Sequence, residues 1–173
     1  MSQCKLFLLG PPRIELDQHA IDIQRRKVLA LLAYLAMCGE PQRRDTLATL
    51  LWPEHGQTDA RMALNRHLSD LRKTLGNDLL VADRETAAVA PTAKLWLDVV
   101  QFQQSLATYP VVATASVSAL TDAVALYRDD FLTGFTLSDS PAFDDWQFFQ
   151  RETLRRQLAT ALERLVEWHG AQR

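Results

Sequence analysis

Along the first twenty-odd residues the apolar positions come in short runs. LFLL and RIEL flank Gly10-Pro11-Pro12, and a polar turn at Asp17-Gln18-His19 precedes AIDI. Short apolar runs punctuated by Gly, Pro and Asp predict a small antiparallel sheet. Three such strands are too few to stand alone and need a packing partner. From Arg25 to Cys38 the period changes: Val28, Leu31, Leu32, Leu35 and Ala36 recur at helical spacing, and Gly39 supplies the stop. A second helix is predicted from Arg44 to Trp52, burying Leu47, Leu50 and Leu51, with Pro53 and Gly56 ending it. A third runs from Thr58 to Leu75, with Leu64, Leu68, Leu71 and Leu75 on one side and Gly76 at the C-terminal stop. LLVA and AAVA then flank Asp83-Arg84-Glu85-Thr86 and predict a hairpin with a charged tip. LWLDV adds a short strand, and Asp98 opens a helix over VVQFQQSLA. Beyond it the pattern is helical. Leu120, Val124, Tyr127 and Phe131 are spaced for one buried face, and Leu154, Leu158, Ala161, Leu165 and Trp168 for another, with breaks at Gly134 and Ser138–Pro141.

The expected organisation is therefore a mixed segment over residues 1–95 and a helical one over 98–173. A chain of 173 residues has room for two small domains. With 47% hydrophobic and 23% charged residues it has the balance of a soluble globular protein. It has no apolar run near the roughly 20 residues that cross a bilayer, and its N-terminus lacks the apolar core of a secretory signal. A cytoplasmic location without membrane attachment is expected.

Net charge changes the picture only when divided. Overall it is −2, but residues 1–95 carry +2 and residues 96–173 carry −4. The basic residues also cluster, as Arg25-Arg26-Lys27, Arg43-Arg44, and Arg61, Arg66, Arg72 and Lys73. This asymmetry suits a nucleic-acid face on the first part.

The third helix is where chemistry concentrates. Opposite its leucines project Met62, Arg66, Ser69 and Lys73, flanked by Asn65 and Arg72, with Arg61 near its start. Arg pairs bidentately with guanine and Asn with adenine, while Ser, Arg and Lys hold phosphates. A helix of this kind fits the major groove when two preceding helices support it. The hairpin lies where a wing would, with Arg84 at its tip, and Arg43 and Arg44 at the start of the second helix are further candidates for backbone contact.

Signals of catalysis are missing. The sequence has no phosphate loop, nucleophile elbow or HExxH. His19, His55, His67 and His169 are scattered, and the pairs Asp129-Asp130 and Asp144-Asp145 point apart on a helix. Cys4 and Cys38 form no CxxC motif, and Cys38 is expected as a core thiol. No enzyme activity, metal or cofactor is expected.

The stretch ALNRHLSDLRKTLG resembles the recognition helix of OmpR-type winged helices, with His67, Leu71 and Arg72 in step with that pattern. The larger frame, from LFLLGPPRIEL through RRKVLALLAYLA, LATLLWPE and LLVADRETAAVAP to LWLDVVQF, is similar to the SARP group of bacterial regulators. There a winged helix is followed by a helical bacterial transcriptional activator domain, and ALYRDDFLTGF with SPAFDDWQFFQRETLRRQLATALERL looks like its opening. The resemblance implies a mainly α fold with a small β component, a winged helix-turn-helix followed by an all-α TPR-like segment. It implies binding to repeated promoter sites in duplex DNA, with the helical part used for homodimerisation or for contact with RNA polymerase or a sigma factor. The chain departs from two-component regulators in having no receiver domain and no Gly-Tyr wing. Arg43 also stands where the family places a Ser or Thr cap, and residues 98–173 supply about half of the activator domain, so a longer regulator is expected. Trp146, Phe149 and Trp168 read either as core or as a surface for a protein partner. The rival function is a protein-interaction scaffold whose winged helix has lost DNA.

Overall fold

The computed structural model describes residues 3–107 and 114–171. Its elements run β1 (Cys4–Phe7), β2 (Arg13–Leu16), β3 (His19–Ile21), α1 (Arg26–Cys38), β4 (Gln42–Arg43), α2 (Arg44–Leu51), α3 (Gln57–Leu75), β5 (Leu80–Ala82), β6 (Thr86–Val89), β7 (Leu95–Leu97), α4 (Asp98–Ala107), α5 (Thr114–Leu126) and α6 (Pro141–Ala171). One sheet has the order β3-β2-β1-β7 and a second β4-β6-β5. The fold is mainly α with a small β component, as the periodicities predict.

The chain divides into two compact units. The first comprises Met1–Leu6, Arg13–Leu95 and Thr136–Trp146. Its β2–β3 turn places Asp17 and Gln18 at positive φ (49° and 69°), the geometry that matches strand twist in a two-residue hairpin. Asp17 tolerates it by accepting the Gln3 N–H at 2.8 Å. Its core is the side of α1 carrying Val28, Leu31, Leu32 and Leu35, packed with Leu47 and Leu51 of α2 and Leu64, Leu68, Leu71 and Leu75 of α3. Gly39 ends α1 in the left-handed conformation, its N–H returning to the Leu35 carbonyl, a position only glycine takes without strain.

The segment Thr136–Trp146 packs back on these helices. Ser140 is buried and donates its hydroxyl to the Leu51 carbonyl at 2.8 Å, and Lys27 donates to the same oxygen at 2.5 Å. A buried carbonyl at the end of α2, where the helix supplies no partner, is thereby satisfied twice. Lys27 also pairs with Asp139 at 2.8 Å, and the Trp146 ring meets that of Tyr34 at 4.9 Å, tilted by 57°.

The second unit comprises Phe7–Pro12, Trp96–Phe135 and Gln147–Arg173. Phe102, Phe131, Leu132 and Leu154 are fully buried in it. At its centre Asp98, 1% exposed, accepts the backbone N–H of Leu8 on both oxygens at 2.9 Å, that of Leu9 at 2.9 Å and that of Val99 at 2.8 Å. Arg128 stands 4.0 Å away. Burial raises the carboxyl above its ordinary range, while the three N–H donors and Arg128 pull it back.

Several expectations need correction. Phe131 is buried but not helical: α5 ends at Leu126, and Phe131 bridges Leu9 and Gly10. Asp129 bonds the Asp130 N–H at 2.7 Å, a local alternative to a helical hydrogen bond. Leu50 is only half-buried, and α2 buries Ala48 instead. Cys38 is half-buried, whereas Cys4 is buried deeply enough to push its thiol up to about 11. On α6, Leu154 and Ala161 are buried, but Leu158, Leu165 and Trp168 only partly. No helix of the described residues is long and apolar enough to cross a membrane.

Candidate nucleic-acid interface

The helix α3 begins after Gly56, without a side-chain cap, and ends at Gly76, whose φ of 98° with ψ of 156° excludes an L side chain without strain. Its five buried residues, Ala60, Leu64, Leu68, Leu71 and Leu75, fix one side toward α1 and α2. The opposite side is open. Met62 is 56% exposed, Asn65, Arg66 and Lys73 are exposed, and Ser69 and Arg72 are half-buried. Among the described residues no ion pair occupies Arg66 or Lys73. A free Arg and Asn one residue apart present both a bidentate fork and an amide to whatever lies against this side.

Of the two acids on this helix, Asp70 is paired with Arg25 at 2.8 Å, while Asp59 stands exposed in the first turn. Arg26 donates to the Thr136 carbonyl at 2.8 Å. The Arg25-Arg26-Lys27 cluster, one of the basic runs in the sequence, is therefore engaged inside the protein. Arg61 is also partly engaged, through Asp45 at 2.7 Å.

The wing is built by an Asx turn. The Asp83 carboxylate accepts the N–H groups of Glu85 and Thr86, both at 2.7 Å, and the Thr86 hydroxyl at 3.1 Å. These donors hold its carboxyl below the usual range. The turn leaves Arg84 exposed at the tip. β5 pairs with β6 in antiparallel register, Leu80 opposite Val89. The sequence pattern missed β4, which adds Arg43 opposite Thr86; two residues are too short to show alternation. Arg43 precedes α2 with φ −65° and ψ 135° and makes no cap with its side chain. The next residue, Arg44, donates its backbone N–H to the Glu85 carbonyl at 2.8 Å. Its Nε is shielded from solvent and has no hydrogen-bond partner among the described residues, an arrangement that costs about 1–3 kcal/mol. Burial first, then the charges of Arg61 and Arg72, lower its proton affinity.

His67 supports α3 from the inside. Its ring meets Trp52 edge-on at 4.8 Å, and its Nδ1 lies 2.7 Å from the Ala63 carbonyl. Burial lowers its pKa below the ordinary 6.5; Asp70 and the Ala63 carbonyl oppose the shift, and Arg25 and Lys27 add to it. As pH falls through 6.5 the unfolded chain takes up this proton before the folded one, so stability present above that pH is lost. Thermal melts between pH 7.5 and 5.5 are expected to decline in the parent and to decline less in His67→Gln. Equal slopes in the two proteins would remove His67 from the account.

Among the described residues no group of three or more His, Cys, Asp or Glu could hold a metal ion. No protein-family model matches the chain, and no curated protein matches it. Among solved structures its fold is similar to Mycobacterium tuberculosis EmbR, determined in complex with a low affinity phosphopeptide, with a TM-score of 0.78 at 22% sequence identity. The match covers 96% of this chain and 45% of that one, so the chain spans less than half of the length of that protein. At this identity the likeness is one of fold: a winged helix-turn-helix with a helical segment after it.

Proposed function

We propose that the chain binds duplex DNA sequence-specifically as part of a bacterial transcriptional activator, with α3 in the major groove and the β5–β6 wing on the adjoining backbone. The observation that carries this reading is the open side of α3. Arg66, Asn65 and Met62 face outward, Arg66 and Asn65 without a hydrogen bond or ion pair among the described residues, while Leu64 and Leu68 anchor the opposite side. Arg66 and Asn65 are base readers, Ser69, Arg72 and Lys73 grip phosphates, and Arg43, Arg44, Arg61 and Arg84 flank them. Residues 98–173 serve homodimerisation or contact with RNA polymerase or a sigma factor, in the cytoplasm at promoter repeats. Likeness of fold supports the reading only as analogy, so the test is placed on the face itself.

Selection from randomised duplex DNA at two salt concentrations is expected to recover a repeated motif with the parent protein. Arg66→Ala should relax the preference at one position, at a cost of about 1–3 kcal/mol, while Lys73→Ala should weaken all sequences alike and reduce the salt slope by about one. Parent-like binding by both variants would overturn the assignment of α3 and leave the winged helix as a scaffold.

A further inference from the structure

The cations at the start of α1 line a groove as well as holding the fold. Its volume is about 640 Å³, inside the range of sites that take small ligands. Arg25, Arg26 and Lys27 line it from the start of α1, His67 from α3, and Leu137 and Asp139 from the returning segment. The first turn of α1 has no acidic residue and no side-chain cap, so the charges that answer these cations come from elsewhere in the chain. Asp70 of α3 pairs with Arg25 and Asp139 with Lys27, while Arg26 donates to the Thr136 carbonyl. The Lys27 pair is unevenly held. Lys27 has a side chain only 16% exposed, fixed by the Leu51 carbonyl and by the Trp52 ring at 5.4 Å. The Asp139 side chain is 61% exposed, and its segment is anchored separately through Ser140. The cation is built in, and the carboxylate on it is exchangeable, because an ion pair whose acid stands in solvent is held weakly. Arg25 is 59% exposed and, among the described residues, spends one N–H, on Asp70.

We propose that this groove is a binding site for a small phosphate monoester, whose head displaces Asp139 from Lys27 and meets the Arg25 fork while its organic part lies against Leu137 and the His67 ring. A monoester dianion brings one more negative charge than the carboxylate it replaces, and three terminal oxygens for three consecutive cations. A ligand carboxylate would only exchange like for like with Asp139. The groove is far larger than a bare phosphate needs, which leaves room for an organic part. His67 offers that part a ring rather than a charge, since burial lowers its pKa. The site stands apart from the DNA-binding reading, because none of these groups belongs to the open side of α3.

Calorimetric titration of the full chain with phenyl phosphate tests the site, with inorganic phosphate as the comparison for the head alone. Saturable binding of one phenyl phosphate per chain is expected, tighter than that of inorganic phosphate. Asp139→Asn removes the internal competitor and should tighten binding about fivefold, the scale of one exposed ion pair. Ser138, exposed on the same wall, gives the opposite test. Ser138→Glu sets a carboxylate beside the head and should weaken binding more than about tenfold, while Ser138→Gln, of the same size, should stay within about twofold of the parent. Both positions are exposed, so these variants should melt with the parent. Glu85→Gln, the same change of charge as Asp139→Asn but on the wing, should bind like the parent. Three results overturn the proposal. One is the absence of saturable binding in the parent. Another is parent-like affinity in Asp139→Asn and Ser138→Glu together, or equal tightening in Glu85→Gln, which would leave only general attraction. The third is binding that Lys73→Ala abolishes and Ser138→Glu leaves intact, which places the anion on the open side of α3.

Discussion

Asp98→Ala is expected to destabilise the protein by about 3–5 kcal/mol, the range for breaking a buried charged contact from one side. The reason is the set of donors left behind. Leu8 and Leu9 are fully buried, and both of their N–H groups end on this carboxylate, as does that of Val99 at the start of α4. An alanine offers them no acceptor. Asp98→Asn retains one acceptor oxygen but turns an NH2 group toward a backbone N–H, so it should recover only part of the loss. Urea unfolding followed by circular dichroism measures both. A loss under 1 kcal/mol in Asp98→Ala would mean that the Leu8-Leu9 backbone finds other acceptors.

Leu64→Ala is expected to cost about 2–5 kcal/mol, the transfer term for a buried leucine plus that of the cavity it leaves. Leu64 is 0% exposed and lies on the side of α3 turned to α1 and α2. Arg66 is two residues further on, roughly 200° around the helix. The pair separates two ways of losing DNA binding. Leu64→Ala should lower the melting temperature and reduce binding only by the fraction unfolded, with the salt slope unchanged at low temperature. Arg66→Ala should do the reverse. A Leu64→Ala protein that melts like the parent would show that α3 repacks freely and is a poor platform for a precise face.

Much of the first unit was legible because α1 and α3 are long enough for the 3.6-residue period to repeat several times, and because Gly39 and Gly76 mark their ends. The hairpin was legible from two apolar runs around a polar tip. What escaped notice depended on partners distant in sequence. Asp98 reads locally as a helix opener, yet its main partners are about 90 positions earlier. Phe131 continues the spacing of Leu120 and Val124, but the Asp129–Asp130 turn ends the helix before reaching it. β4 owes its existence to the wing strand that it pairs with. For the candidate face, the spacing gave the side from which Arg66, Asn65 and Lys73 project. It did not give the charge balance. Arg25, Arg26 and Lys27 count as basic in the sequence, yet Asp70, Thr136 and Asp139 engage them, whereas Arg44 has no partner for its Nε among the described residues.

The return of Thr136–Trp146 to the first unit has a consequence for synthesis. A ribosome delivers the chain from its N-terminus, and domains generally fold as they emerge. Here α1, α2 and α3 are released some sixty residues before the strand of chain that supplies Ser140, Phe143 and Trp146 to them. Until then the Leu51 carbonyl has only Lys27, and the Tyr34 ring lacks the Trp146 ring packed against it. The nascent first unit is therefore a waiting state with an apolar patch on α1, and its completion is timed by the translation of the segment between.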